Sequence, residues 1–266
     1  MYDRAQIKKG LCGNMRKIGF LGCGKIGQAL LTHAKEKGYA EVSFIEDPMA
    51  DIPGEIVIRG NDAEEIRRAY EDADLIVECA TAAVLKEHLE LILSHADLLM
   101  FSVTAFSDDE FAAKAAELSE RYHRTIYLPH GAILGLDGIF DGKRLWREVT
   151  IVTTKNPKSL GRDDAVRTVV YEGSTRGACK EYPRNVNVHA SIALAGIGLD
   201  RTHSVIISDP EVATNAHTIT LKGDGIDITM DVSSYAAGAV SGKYTPYSAC
   251  GSLDRICEKN EGKRFV

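Results

Sequence analysis

A short apolar run, Lys17-Ile-Gly-Phe-Leu-Gly22, breaks into Cys-Gly24-Lys-Ile-Gly27 and continues as Gln28-Ala-Leu-Leu-Thr-His-Ala-Lys-Glu-Lys-Gly38. Three glycines at G-x-G-x-x-G spacing, between a strand-like run and an amphipathic segment closed by Gly38, are how a dinucleotide-binding βαβ unit begins. Each glycine has its own task. Gly22 makes the tight turn, Gly24 lets backbone approach a pyrophosphate with no Cβ in the way, and Gly27 lets helix and strand pack closely. The start of the helix offers free N–H donors to phosphate, which makes Cys23, Lys25 and Ile26 candidate contacts beside the glycines. The next strand-like run, Glu41-Val-Ser-Phe-Ile-Glu-Asp47, ends in two acids. Glu46 and Asp47 therefore fall about where an acid meets the ribose hydroxyls, and they disfavour a 2′-phosphate. NAD is the expected cofactor, with NADP the alternative.

The rest of the first half alternates in the same way. Glu55–Arg59 reads as a short strand, Asp62 as the cap of a helix carrying Ile66, Ala69 and Tyr70, and Asp74–Cys79 as a buried strand. The small residues Cys79-Ala-Thr-Ala-Ala83 follow it, so Ala80 is a candidate surface for a ribose or cofactor ring, and a helix runs over Val84–His95. Leu98–Thr104 is expected as the next strand, Ser107-Asp-Asp-Glu110 as a helix start, and Thr125–Pro129 as a further strand. This alternation implies a parallel, doubly wound, Rossmann-like sheet. Its strand ends include Ser102–Ala105 and Pro129–Ala132, with Gly131-Ala132 a plausible backbone surface for the nicotinamide end; His130 reads as a loop residue without chemistry, with a ligand contact as the alternative.

From Trp146 the pattern shifts to alternating strands, Glu148–Thr154, Val205–Ser208, Thr218–Leu221 and Ile226–Met230, with Gly223-Asp-Gly225 a hairpin turn. A small-residue helix, Asn187–Gly198, interrupts them, and its entry Pro183-Arg-Asn185-Val-Asn187 places two amides at the helix start, as caps or ligand contacts. His217, read as lying in a Pro-containing loop that turns into a strand, titrates where proton transfer at neutral pH is feasible. His33, His88, His95 and His123 read as solvated helix-face residues. Pro246 marks the entry of a helix over Ala249–Glu258 that returns to the first domain. The expected organisation is a leader over 1–14, a dinucleotide-binding domain over 15–131, an α+β substrate and dimerisation domain over 132–240, and the returning helix over 241–266.

Composition excludes several classes. A net charge of −6 argues against nucleic acid or an acidic membrane as partner. No run approaches the roughly twenty apolar residues that span a bilayer. Six cysteines form no C-x-x-C pair and no metal spacing, and no secretion signal is visible, so a cytoplasmic protein with reduced thiols and no metal is expected.

The segments Ile18–Gly27, Val77-Glu-Cys-Ala80, Leu128-Pro-His-Gly-Ala-Ile133, Tyr182-Pro-Arg-Asn-Val-Asn-Val188, Leu194–Thr202, Asp209-Pro-Glu and Asn215-Ala-His217 resemble the L-aspartate dehydrogenases. The resemblance runs from about Met15 to the C-terminus, and its asparagine segment and Asn-x-His are far more specific than the glycines. It implies cofactor contacts at Ala132 and Asn187 and a catalytic histidine at His217. It also implies oxidation of L-aspartate to iminosuccinate, then oxaloacetate and ammonia, with the reverse reductive amination, and a product that can feed NAD biosynthesis. His130 and His189 depart from the pattern, which has smaller residues there. Two substrate carboxylates call for donors, for which Arg184, Lys155, Arg201, Asn185 and Asn187 are candidates. A homoserine-type or other amino-acid dehydrogenase, an imine reductase, or a non-catalytic NAD-binding protein are the alternatives. A homodimer is the default oligomer.

Overall fold

In the computed structural model, which describes residues 15–235 and 242–258, the glycine motif sits between β1 (Arg16–Leu21) and α1 (Lys25–Lys37). Then come β2 (Ala40–Glu46), β3 (Val57–Ile58), α2 (Ala63–Glu71), β4 (Leu75–Glu78), α3 (Ala82–His95), β5 (Asp97–Met100), α4 (Asp109–Tyr122) and β6 (Ile126–Tyr127). These strands form one parallel sheet in the order β3-β2-β1-β4-β5-β6. The chain reverses its direction of winding between β1 and β4, where α/β sheets open a ligand crevice. Both faces of the sheet are buried, which is why its strands read as continuous apolar runs. Leu21, Phe44, Ile76 and Leu98 pack beneath α3 and α4. Ile18, Phe20, Ile45 and Val77 pack on the opposite face beneath α1.

Local chemistry sets the helix starts. Asp62, Thr81 and Asp108 each accept backbone N–H groups of the first turn of α2, α3 and α4, which satisfies donors that a helix cannot satisfy internally.

The expected strand Leu98–Thr104 is shorter than the sequence suggests, because β5 ends at Met100 and a 3-10 turn covers Val103–Ser107. Glu78 is the reason. Its buried carboxylate accepts from the amides of Ala80 (2.9 Å), Phe101 (3.1 Å) and Ser102 (2.9 Å) and from the Ser102 hydroxyl (2.7 Å). The Phe101 amide is shared between this side chain and the Glu78 backbone carbonyl (3.2 Å), the last rung toward β4, and the Ser102 amide turns to the side chain, where the ladder ends. Burial pushes the Glu78 pKa up while the four donors pull it down.

The second half consists of α5 (Leu136–Asp141), β7 (Trp146–Lys155), β8 (Thr168–Ser174), α6 (Thr175–Glu181), α7 (Asn187–Ala195), β9 (His203–Ser208), β10 (Thr214–Gly223), β11 (Ile226–Tyr235) and α8 (Tyr244–Cys257). Its five strands form a mixed sheet in the order β11-β10-β7-β9-β8. The hairpin between β10 and β11 closes at Gly223 opposite Ile226, with Gly225 at φ 80°. Ile133, Leu136, Ile139 and Ile192 cover Val149, Ile151, Ile219 and Leu221 on one face of the sheet.

Several expectations are revised. β8, α5 and α6 are absent from the sequence reading, and β8 is an edge strand whose register shifts between Val169 and Tyr171. His217 lies inside β10 and not in a loop, because β10 already begins at Thr214. His33 and His88 are half-buried partners of carboxylates, His33 of Asp254 (2.7 Å) and His88 of Glu46 (2.9 Å). α7 has Val186 at its N-cap position and no side-chain cap, so neither asparagine caps it. α8 lies on α1, with Ala249 and Leu253 in the same core as Leu30 and Ala34. The expected leader, residues 1–14, lies outside the described residues, as do 236–241 and 259–266.

The Glu78 knot generates a first prediction. Glu78→Gln replaces two acceptor positions by an NH2 group facing buried donors, and should lower stability by about 2–4 kcal/mol in urea unfolding.

Candidate active site

The glycine loop has the shape that a phosphate group needs. Gly22 has φ 84°, and a Cβ there would stand 2.7 Å from the Ala80 backbone nitrogen. At Gly27 a Cβ would stand 2.8 Å from the Gly22 carbonyl oxygen, so α1 and β1 approach as closely as backbones can. Gly24 is different: a Cβ there would meet nothing within 4 Å, and no side chain caps α1 above it. The open side of Gly24 and the uncapped amides of α1 therefore fit a nucleotide phosphate.

The two acids after β2 are turned inward. Asp47 accepts the Cys23 amide at 2.7 Å and the amides of Met49 and Ala50, bracing the loop from behind. Glu46 accepts from the Tyr70 hydroxyl at 2.7 Å and pairs with His88 Nε2 at 2.9 Å. Tyr70 is wholly buried and needs an acceptor, and Glu46 is the one it finds. The Cys23 thiol is buried too, which pushes its pKa up to about 11 and leaves it unreactive.

A cleft of about 150 Å³ opens beside this loop and is lined from both halves of the chain. Ile26, Phe101, Val103, His130 and Ala132 contribute one wall; Lys155, Arg184, Asn185, Asn187, Asn215 and His217 contribute the other. Of the residues singled out from the sequence, Ile26, His130, Gly131, Ala132, Lys155, Arg184, Asn185, Asn187, Asn215 and His217 meet here. Gly22, Cys23, Gly24, Lys25, Gly27, Glu46, Asp47 and Ala80 are not part of this lining; they form the loop beside it and its supports. Arg201 is exposed and lies outside the cleft, and His189 is buried beneath it.

Strand register explains the second wall. In β7 the alternation that turns Val149 and Ile151 inward also turns Thr153 and Lys155 inward, and in β10 Leu221 and Ile219 are followed by His217 and Asn215. Thr153 faces His217 across the ladder. Its hydroxyl lies 2.8 Å from His217 Nδ1, a contact the sequence reading missed because a threonine inside a strand carries no signal of its own. Asn187 reaches the other way: its Oδ1 accepts the Thr104 amide at 3.1 Å, tying α7 to the first half.

Comparison with known proteins bears on this arrangement. A family model described as the aspartate dehydrogenase C-terminal domain matches residues 141–256, and one described as the homoserine dehydrogenase NAD-binding domain matches residues 22–129. The L-aspartate dehydrogenase of Methanococcoides burtonii is 32% identical over 230 residues, covering 79% of this chain and 84% of that relative. That of Ralstonia pickettii is 30% identical over 258 residues, covering 90% and 97%. The crystal structure of aspartate dehydrogenase from Thermotoga maritima superposes with a TM-score of 0.76 at 27% identity, covering 95% of this chain and all of that one. The chain belongs to the L-aspartate dehydrogenase family. It is an oxidoreductase of the pyridine-nucleotide-dependent kind, acting on a small molecule.

Within this L-aspartate dehydrogenase family member, the electrostatics of the second wall are unusual. Lys155 is 4% exposed, and among the described residues no carboxylate pairs with it. Its Nζ lies 3.2 Å from the Asn185 carbonyl oxygen, a dipole and not a counter-charge. Burial pulls its pKa down to about 8. Burial, and then the Lys155 charge, push the His217 pKa down to about 3, and His189 is likewise driven well below the usual range. Both imidazoles are therefore neutral. No helix in the described residues is long and apolar enough to cross a membrane.

The loop geometry generates a paired prediction. Gly27→Ala pushes a methyl into backbone and should destabilise the fold by about 1–3 kcal/mol. Gly24→Ala has room for its methyl at a φ of −69° and should leave stability within about 0.5 kcal/mol of the parent. It should nevertheless weaken NADH binding by about tenfold in fluorescence titration, because the methyl occupies the phosphate's side of the loop.

Proposed function

We propose that this chain oxidises L-aspartate to iminosuccinate with NAD, and runs the reverse reductive amination of oxaloacetate with ammonia. The observation that carries the proposal is a buried lysine without a counter-charge beside a neutral histidine, in one cleft that Ile26 of the glycine loop also lines. A buried cation is tolerated when a ligand brings the opposite charge. Lys155 in the cleft and exposed Arg184, also in its lining, offer two cations for a dicarboxylate, with the Asn185 amide beside Lys155.

The glycine loop and α1 would hold the pyrophosphate, and Ala132 and Asn187 the nicotinamide end. When bound, the nicotinamide supplies the acceptor for the hydride that leaves the substrate Cα. The protein's own part is to hold the substrate and to move protons. An ammonium group cannot lose hydride from its neighbouring carbon until its lone pair is free, so a base must take one proton from it. His217, neutral and lining the cleft, accepts that proton, and the C=N bond forms from the nitrogen lone pair as the Cα–H bond breaks. Once His217 has released that proton to solvent it can take one from the water that attacks the C=NH2+ carbon; returned to the carbinolamine nitrogen, this proton lets ammonia leave with the C–N electron pair as the hydroxyl loses its proton and C=O forms.

A base with a pKa near 3 is too weak for this work; burial is the larger cause and the Lys155 charge the second. A substrate carboxylate paired with Lys155 cancels that charge and strengthens His217 at the moment it is needed. Glu46 and Asp47 put negative charge next to the loop, which favours NAD over a cofactor with a 2′-phosphate. Among the described residues the outward side chains of β7 and β10, such as Val152 and Thr218, are only partly buried, and we assign this face to a second copy of the chain, which light scattering at twice 29.0 kDa would verify.

His217→Ala should leave NADH binding near the parent value and cut aspartate oxidation by on the order of a hundredfold or more. Unchanged turnover would exclude the assigned role. A panel of amino acids with NAD+ and NADP+, read by NADH absorbance, separates aspartate from homoserine and other substrates. Lys155 adds a pH signature. It is charged below about pH 8 and neutral above, so the KM for oxaloacetate at saturating ammonia should rise as the pH passes above about 8. Lys155→Met should show a high KM with no such step.

A further inference from the structure

His217 is the first member of a buried row of polar groups. Thr153 Oγ1 lies 2.8 Å from His217 Nδ1 and 2.6 Å from His189 Nε2. His189 Nδ1 lies 2.9 Å from Ser204 Oγ, which lies 2.7 Å from Thr175 Oγ1. Thr175 Oγ1 then donates to the backbone carbonyl oxygen of Thr202 at 3.2 Å. None of Thr153, His189, Ser204 and Thr175 is more than 1% exposed, so no bulk water shares these bonds.

The row has a direction, and its far end sets it. The Thr202 carbonyl also accepts the Thr175 amide at 2.9 Å; the Thr175 hydroxyl keeps both of its own contacts only when its proton goes to that carbonyl and it accepts from Ser204. Ser204 has then spent its one proton and accepts from His189 Nδ1–H. A neutral imidazole protonated at Nδ1 is an acceptor at Nε2, so His189 takes the proton of Thr153. Thr153 in turn accepts from His217 Nδ1–H. The lone pair left over is on His217 Nε2, which has no hydrogen-bond partner among the described residues and belongs to a ring that lines the cleft. Both rings carry a single proton, because burial keeps them neutral.

We propose that Thr153, His189, Ser204 and Thr175 are positioning residues that lock His217 in its Nδ1–H tautomer, so that Nε2 is held as a proton acceptor toward the cleft. The inference deepens the reading of His217 as the base and rests on it for its catalytic meaning. The tautomer itself is observable without substrate. Two features favour a row over a single bond. A threonine hydroxyl alone can donate or accept and would leave His217 free to take either tautomer. The additional buried members remove that freedom, because a reversal must flip every proton together and withdraw the Thr175 hydroxyl from the Thr202 carbonyl.

The test is long-range 1H–15N NMR of the imidazoles in the free protein, with the His217 signals assigned by their loss in His217→Gln. The parent and Thr153→Ser, which keeps the hydroxyl, should show His217 as Nδ1–H. Thr153→Val, and Ser204→Ala two hydrogen-bond partners farther away, should both show a mixture with Nε2–H. In steady-state kinetics Thr153→Val should lose kcat by about ten- to hundredfold with the NADH KM unchanged, and Thr153→Ser should restore most of it. Ser204→Ala removes one oxygen far from the cleft, so it serves where Thr153→Val fails to fold. A parent protein with His217 protonated at Nε2 would overturn the proposal, as would both variants keeping the parent tautomer. A parent with the expected tautomer but no aspartate turnover would instead leave the row standing and remove the proposed substrate.

Discussion

One antiparallel register decides where the chemistry of this protein sits. β10 pairs with β7 so that Leu221 faces Val149, Ile219 faces Ile151 and His217 faces Thr153. Side chains alternate along a strand, so a slip of one residue would turn Ala216, Thr218 and Thr220 inward and expose the whole working face. The apolar end of that face, under α5 and α7, holds the register through burial. The polar end cannot, because Thr153, Lys155 and His217 gain nothing from leaving water unless something bonds to them. The same two strands thus supply a rigid anchor and, a few residues farther along, a group of buried polar atoms whose cost is offset by hydrogen bonds.

The cleft also needs its opposite wall at a fixed distance, and a few polar bonds between the halves provide it. The Thr104 amide donates to Asn187 and its hydroxyl to the Pro183 carbonyl (3.0 Å), so the 3-10 turn after β5 is clamped to the entry of α7. Arg176 of α6 reaches the Ser107 carbonyl (2.7 Å) and Asp109 (2.8 Å) while holding Asp200. That turn begins where the Glu78 carboxylate takes the Ser102 amide and shares the Phe101 amide with its own backbone carbonyl. A buried carboxylate at the end of β4 therefore helps to set the position of Asn187. On the other side α8 closes the arrangement, its Asp254 accepting from His33 and Tyr39.

How far the sequence disclosed this can be judged residue by residue. The glycine spacing announces the first sheet because turn, close approach and helix packing are local requirements that few residues can meet. Apolar continuity located β4, and the Asp-Gly turn located the β10–β11 hairpin, for the same reason. His217 was legible as a candidate, but its place in a strand was not, since Thr214–Ala216 look like the end of a loop until the β7 partner is present. Glu46 and Asp47 read as ribose ligands; that Tyr70, His88 and the Cys23 amide claim them follows from residues distant in the chain. Thr153, Ser204 and Thr175 were invisible, because a hydroxyl in a β-branched run looks like strand propensity and nothing more. Long-range pairing, and not composition, turned them into part of the site.

The cleft's electrostatics link substrate identity to base strength in the proposed reaction. Lys155 and His217 share one low-dielectric region; burial does most to keep His217 neutral, and the Lys155 charge adds to it. An amino acid lacking a second carboxylate would leave Lys155 uncompensated and His217 weak even if its amine reached the imidazole. A dicarboxylate removes the Lys155 field as it binds and so raises the basicity of the group that must act next. Discrimination of this kind appears in the catalytic step as well as in affinity, because the wrong ligand meets a poorer base. It also gives a reason for burying an unpaired lysine: an exposed one would be screened by water and could not change His217 enough to matter.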